Sequence, residues 1–208
     1  MTPKLSILIA AHNVAPYIEK TLDSIPRRED IEIVVRSNGS TDSTPAVLIN
    51  YRDTHPDLKV LTLITEDDQG AAHNFNSLLK FATGEYIQFI DGDDYLYPDK
   101  YEHIIARMNG EDCIYMDLVV NSGDVWKLTP DSRVFFCAPF TRALRREFIE
   151  GLKFPENRIT DCDWFFNQEL LKRDPVSVFT GIPAYHYNHP RAGSLMDLKS
   201  KGIIKERD

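Results

Sequence analysis

Apolar residues follow two alternating patterns over the first hundred positions. Short continuous runs rich in branched residues predict strands at 4–11, 31–35, 58–65 and 85–91. Between them the apolar positions recur at helical spacing. Ile18, Leu22 and Ile25 mark a helix over 14–25, with Pro16 suited to a first turn. Residues 40–55 predict a second helix with Ser40 and Thr41 as capping candidates, and 70–83 a third closed by Gly84 in the C-cap role. Such alternation builds βαβ units, hence a mostly parallel α/β sheet, Rossmann-like, with helices on both faces. Ligands bind such sheets beyond the carboxyl ends of the strands. Three polar clusters, "AAHN" from Ala10, "RSNGSTD" from Arg36 and "DGDD" from Asp91, converge on that rim.

The second half is less regular and reads as a smaller α+β half. Residues 97–108 predict a helix, 112–120 and 122–128 a strand pair, and 141–152 and 161–173 two further helices after an irregular stretch around Pro139. Residues 177–189 predict a final strand ending in a histidine-rich turn. No repeat, low-complexity tract or Pro/Gly-rich linker divides the chain, so the expectation is one domain over 1–208. The pattern changes near residue 100 and divides the domain into a 1–100 half and a 101–208 half.

Composition narrows the function. With 208 residues, 42% of them hydrophobic, the chain can bury a sizeable core. A formal net charge of −8 argues against nucleic acid as a partner, which calls for a basic stripe. Cys113, Cys137 and Cys162 are widely spaced, which suits a reduced compartment and offers no zinc signature. The apolar run Leu5–Ala11 is too short to span a membrane, and no later segment reaches that length. The expected location is the cytoplasm, with peripheral attachment to the inner membrane face as an option.

The rim carries the candidate chemistry. Asp91 and Asp93, one residue apart at a strand end, are hard oxygen ligands for Mn²⁺ or Mg²⁺, with Gly92 allowing a sharp turn. The alternative for that triplet is a solvated acidic turn. A cation and a diphosphate among Asp91, Asp93 and Asp94 would offset the repulsion of three adjacent carboxylates. Ser37, Asn38 and Asp42 can hydrogen-bond a base or ribose, and Gly39 permits a positive φ; an ordinary capped helix start is the alternative. Ala10 and Ala11 leave room for a flat base to approach the backbone, and Asn13 is a candidate cap for the first helix.

The order "SILIAAHN…EIVVRSNGSTDST…DQG…N…FATGEYIQFIDGDD" resembles the nucleotide-sugar half of family 2 glycosyltransferases, which have a GT-A fold. The resemblance covers roughly residues 4 to 100. It implies inverting transfer from a nucleotide-diphosphate sugar, a UDP-sugar before others, to a glycan, lipid-linked or protein acceptor, with Asp91 and Asp93 as the DxD metal motif. Ala10, Ala11, Asn13, Ser37, Asn38, Gly39, Asp42, Gly70, Asn76, Asp91 and Gly92 are then donor-binding candidates. This chain has Ala10-Ala11-His12-Asn13 where the family has Pro-x-Tyr-Asn, and Ser37-Asn38 where it has two aspartates that include a base contact. The family's Ala-Arg-Asn appears as Asn74-Phe75-Asn76, which removes an arginine near the phosphates; His73 and Lys80 are candidate replacements.

In the second half, "KFPENRITDCDWFFNQELL" resembles the family's Glu-Asp segment at a helix start. It makes Asp161, or Asp163 two positions on, the catalytic base that an inverting transfer needs. A helix N-cap is the alternative role for Asp161. Trp164 and Phe165 can stack on a sugar, although Phe165 is expected in the core. "YHYNHPRAGS" resembles the family's closing turn. It puts His189, rather than His186, in the metal shell, and Arg191 and Ser194 on the pyrophosphate. The competing readings are a catalytically silent nucleotide-sugar-binding protein and a nucleotidyltransferase. The latter usually carries a Gly-rich loop with a lysine after the first strand, where this chain has "AAHNVAPY".

Overall fold

The computed structural model describes residues 2–134, 136–158 and 160–202. The predicted alternation is realised as β1 (Leu5–Ala11), α1 (Ile18–Asp23), β2 (Ile31–Asn38), α2 (Thr44–Thr54), β3 (Val60–Thr65), α3 (Ala71–Leu79) and β4 (Tyr86–Asp91). β1 pairs in parallel with both β2 and β4, and β2 with β3. The carboxyl ends of four strands therefore form one rim. Leu5, Ile7, Leu8 and Ile9 are wholly buried, as a central strand covered on both faces requires.

The chain continues through β5 (Tyr95–Leu96), α4 (Pro98–Ile105), β6 (Cys113–Val120), β7 (Val125–Trp126), β8 (Arg142–Arg145), α5 (Cys162–Lys172), β9 (Ser177–Tyr187) and α6 (Leu195–Ser200). These strands extend the same sheet in the order β3-β2-β1-β4-β8-β6-β9-β5, with β7 on β6. Both halves of the sequence thus share one mixed α/β sheet.

Five local expectations are corrected. The helix expected over 141–152 is instead β8, antiparallel to both β4 and β6, followed by turns. The slot between two buried strands takes Ala143 and Leu144, and that pairing outweighs helical spacing. α3 ends at Leu79, so Gly84 is no C-cap; its N–H donates to Ser6 Oγ at 2.8 Å. Ser40 and Thr41 lie before α2, whose first turn is held by Asp42 Oδ1 accepting from Thr44 N–H at 3.0 Å. α1 begins only at Ile18, and Asn13 does not cap it. Phe165 is partly exposed, and the core position belongs to Phe166, stacked on Phe154 with ring centroids 4.1 Å apart.

Phe75, Phe89, Phe154 and Phe166 form one aromatic cluster that joins α3, β4 and α5. Phe75 stands where the family resemblance expects an arginine, and this cluster explains the change: its ring is a core element only 7% exposed. The three cysteines are free. No helix among the described residues is long and apolar enough to cross a membrane.

Candidate active site

β4 delivers the acids. Asp91 ends the strand, Gly92 N–H donates to Ala10 O at 2.8 Å, and Asp94 N–H closes the turn onto Asp91 O at 3.0 Å. Gly92 is needed for close approach: a Cβ there would lie 2.9 Å from Val14 Cγ2 and 3.1 Å from Ala10 O. Asp94, expected at the ligand with the other two, turns inward. It is 1% exposed and accepts from Tyr185 O–H at 2.6 Å and Asn188 N–H at 2.8 Å. Burial, then Asp91 and Asp93, pushes its carboxyl far above the usual carboxylate range.

Asp91 and Asp93 remain for a ligand. Asp91 keeps part of its surface open although it is set deep in the protein. Burial, then the charges of Asp93 and Asp163, raises its carboxyl to about 7 against the opposing pull of Arg191. Arg191 Nε lies 2.5 Å from Asp93 Oδ2, an ion pair without hydrogen-bond alignment, and its guanidinium carbon sits 5.6 Å from the Tyr17 ring centroid. This cluster has more negative than positive charge, which is the condition a divalent cation relieves. Two carboxylates are hard oxygen donors of the kind Mn²⁺ or Mg²⁺ takes, so Asp91 and Asp93 would hold such an ion. Among the described residues no three His, Cys, Asp or Glu side chains gather as a preformed metal group.

His189 is stacked on Tyr187 (centroids 5.1 Å) and packs against Trp126 (5.9 Å). His186 stacks on Tyr95 and is bonded to Tyr97 Oη and Asn121 Oδ1, a structural setting that leaves neither ring nitrogen open. Ser194 caps α6, its Oγ accepting from Asp197 N–H.

The α5 start brings a fourth acid. Asp163 is close enough to raise the Asp91 carboxyl, and burial raises its own. Cys137 Sγ donates to its Oδ2 at 3.6 Å, and Trp164 N–H to its Oδ1 at 2.8 Å. Asp161 occupies the N-cap position without making a side-chain cap bond; its nearest charge is Arg158 Nε at 3.8 Å. Trp164 is 44% exposed beside Asp163, and Phe165 lies under the Arg158 guanidinium at 4.4 Å.

At the β1 and β2 ends the polar residues form a network. Asn38, 2% exposed, donates from Nδ2 to Asp68 Oδ1 at 2.8 Å, and its carbonyl oxygen lies 2.7 Å from His12 Nδ1. Ser37 Oγ donates to Ser40 Oγ at 2.9 Å. Asn13, at φ 51°, holds the loop after β2: its Oδ1 accepts from Thr41 N–H at 2.8 Å and Asp42 N–H at 3.3 Å. Asp42 Oδ2 accepts from Ala15 N–H at 3.1 Å; burial opposes its ionisation, yet bonds from Thr44 and Ala15 hold the carboxyl below its usual value. Gly39 is obligatory twice over, with φ +61° and a Cβ position 2.2 Å from Asp68 N. Gly70 precedes α3 at φ +82°.

Asn76 is turned away from the rim: its amide is bonded to Phe154 O and N–H and to Glu156 Oε1. His73 pairs with the same Glu156 at 3.2 Å, and Lys80 is exposed beyond the far end of α3. Sequence reasoning missed Tyr185 as the partner of Asp94, Cys137 at Asp163, and Arg36, which is buried near the end of β2. For Arg36 a signal existed: a cation directly after the apolar run Ile33–Val35, still within β2. A concavity of about 660 Å³ lined by Thr2, Pro3, Ala82, Thr83 and Arg146 lies at the opposite, amino-terminal end of the strands and gathers no comparable chemistry.

A doubly wound half-sheet with paired acids on its rim, extended by a mixed second half, is the GT-A arrangement. Residues 6–173 match the sequence profile of glycosyl transferase family 2, and the chain belongs to that family. It is 34% identical over 203 residues to the putative glycosyltransferase EpsH of Bacillus subtilis, covering 96% of this chain and 54% of that one. It is 35% identical over 225 residues to the hyaluronan synthase of Pasteurella multocida, covering 98% and 22% respectively. The chain thus spans about half the length of the first relative and about a fifth of the second. Among solved structures, S. aureus TarS with UDP-GlcNAc superposes with a TM-score of 0.77 at 23% identity, over 93% of this chain and 60% of that one. The mannosyltransferase PcManGT of Pyrobaculum calidifontis, with GDP-Man and Mn²⁺, gives 0.70 at 21% identity over 93% and 59%.

Proposed function

We propose that the chain transfers a sugar from a nucleotide-diphosphate donor, a UDP-sugar first, to a saccharide hydroxyl with inversion at the anomeric carbon. The observation that carries this reading is the acid pair Asp91 and Asp93 at the end of β4 beside Arg191, with Asp163 of the second half near enough to raise the Asp91 carboxyl. Asp91 and Asp93 would hold Mn²⁺ or Mg²⁺, and that ion would neutralise charge on the departing diphosphate. Arg191 beside Asp93 adds a cation for the same oxygens.

Asp163 is the base. Its carboxylate takes the proton of the acceptor hydroxyl as that oxygen bonds to the anomeric carbon, and the bond to the diphosphate breaks on the opposite side. Burial raises its proton affinity, which suits a base working near neutral pH. The exposed indole of Trp164 offers a flat apolar face to the acceptor ring next to that carboxylate. The names of the relatives and the ligands of the solved neighbours, UDP-GlcNAc and GDP-Man, support a nucleotide-sugar donor.

The test combines donor binding with turnover. UDP-sugars and GDP-sugars are screened by thermal shift with and without Mn²⁺, and transfer to oligosaccharides is followed for Asp163→Asn and Asp161→Asn. Asp163→Asn is expected to keep donor affinity and lose about 10²- to 10⁴-fold in turnover, with a much smaller loss in Asp161→Asn. Equal, modest losses in both variants would overturn the assignment of the base. Donor binding by every variant with no transfer by the parent protein would favour the silent, nucleotide-sugar-binding alternative.

A further inference from the structure

Arg36 is 4% exposed at the carboxyl end of β2. Its guanidinium donates to two neutral amide oxygens, Gln69 Oε1 at 2.5 Å and Asn74 Oδ1 at 3.4 Å. Among the described residues it makes no ion pair with a carboxylate. A covered cation without a counter-charge is costly, and such residues are normally paired. Burial also lowers its pKa, because the charged form loses water that two neutral amide oxygens only partly replace. A group that the protein leaves uncompensated beside a ligand rim is best explained by the ligand.

The register says which part of the ligand. Arg36 pairs with Ala10 on β1, and Ala10 pairs with Asp91 on β4. Residues paired across parallel strands project from the same face, so the three form a row with the smallest side chain in the middle. Arg36 and Asp91 stand two strand spacings apart, about 10 Å. That separation fits a donor whose diphosphate lies at Asp91 and Asp93, whose ribose crosses Ala10, and whose base reaches Arg36. Gln69 is tied in turn to Asn38, whose Oδ1 accepts from Gln69 N–H at 3.4 Å, so the guanidinium belongs to the network at the end of β2.

We infer that Arg36 reads the nucleobase. Its planar fork of N–H groups donates to ring carbonyl oxygens, selecting the keto bases uracil and guanine over the amino bases cytosine and adenine, which present an N–H₂ donor at the corresponding edge. This inference rests on the preceding reading that a nucleotide-sugar occupies the rim.

Calorimetry with UDP, GDP, CDP and ADP in Mn²⁺ tests it on the full chain, its Arg36→Lys variant and its Arg36→Met variant. The parent protein is expected to bind UDP or GDP at least tenfold more tightly than CDP and ADP. Either substitution is expected to weaken the keto diphosphates by about ten- to a hundredfold while leaving CDP and ADP within about threefold, so that discrimination collapses. Arg36→Lys keeps the charge and serves if Arg36→Met melts before the measurement. Equal weakening of all four would mean that Arg36 holds phosphate, and overturns base reading. Unchanged discrimination in Arg36→Lys overturns it as well. If the parent protein binds none of the four, the nucleotide-sugar reading fails together with this one; if it binds without keto preference, only this one fails.

Discussion

Replacing Asp91 by asparagine should make the metal-free protein more stable. The carboxyl is raised to about 7 by burial and by Asp93 and Asp163, against an ordinary value near 4. The folded state therefore keeps a proton that the unfolded chain releases, and the stability contributed by this group falls as pH climbs from about 4 to about 7, then levels. Three units correspond to about 4 kcal/mol at the upper bound; the partly open carboxyl and relaxation of its surroundings reduce this to about 2 kcal/mol. An uncharged isostere escapes that cost. For a chain of this size, about 2 kcal/mol is about 4–8 °C in melting temperature. Asp91→Asn in a chelator should thus melt several degrees above the parent protein at pH 7.5, and the gap should close as pH approaches 4. Added Mn²⁺ should raise the parent protein's melting temperature at pH 7.5 and leave the variant's unmoved. Circular-dichroism melts from pH 4 to 8 measure all of this. A variant less stable than the parent across the range, or a gap that widens on acidification, would show that Asp91 is compensated within the fold and that no cation is needed there.

Gly39→Ala should lose about 1–3 kcal/mol, read from urea denaturation, because the added Cβ meets the backbone of Asp68 and φ is positive. Glu32 binds the amino ends of β1 and β4 by accepting from Ser6, Thr83 and Gly84; burial opposes its ionisation, but these bonds hold its carboxyl below the usual value. Glu32→Gln should cost about 1–2 kcal/mol at pH 7, with the difference lost as pH falls from the ordinary glutamate value through the lowered folded one, since a depressed carboxyl stabilises only where it is ionised. Tyr185→Phe should cost about 1–3 kcal/mol by leaving Asp94 short of a donor, measurable as a fall in melting temperature with the secondary structure intact.

The βαβ half was legible because buried parallel strands are continuous apolar runs, and β1, β2 and β4 can be read directly as such. β8 was not. Ala143, Leu144, Phe148, Ile149 and Leu152 keep helical spacing, and the partners that make Arg142–Arg145 a strand lie on β4 and β6, distant in sequence. Asp91 and Asp93 were legible as a pair, but that Asp94 faces the interior depends on Tyr185 and Asn188 more than 90 positions away. Asp161 and Asp163 lie within one helical turn, so their separation into an Arg158-facing and an Asp91-facing carboxylate follows from how α5 docks on the sheet, which no local pattern encodes. Asn13 and Asp42 read as ligand or cap residues; that they also tie the β1 and β2 loops together depends on partners about 28 positions away.

The inward turn of Asp94 also bears on the order of folding. Its carboxyl finds its hydrogen-bond donors only on β9 and the residue after its end, 91 and 94 positions later. Contacts of such sequence separation carry the largest loop-closure entropy and form late. Until β9 docks along β6, the backbone of the loop that presents Asp91 and Asp93 is held by Thr21, whose hydroxyl donates to the Gly92 and Asp94 carbonyls, but the Asp94 carboxyl lacks both of its donors. A nascent chain that has released its first hundred residues would accordingly have a nearly formed parallel half-sheet whose acidic loop still carries a buried carboxyl without donors, and the final setting of that loop would report completion of the whole sheet rather than of the half that carries the acids.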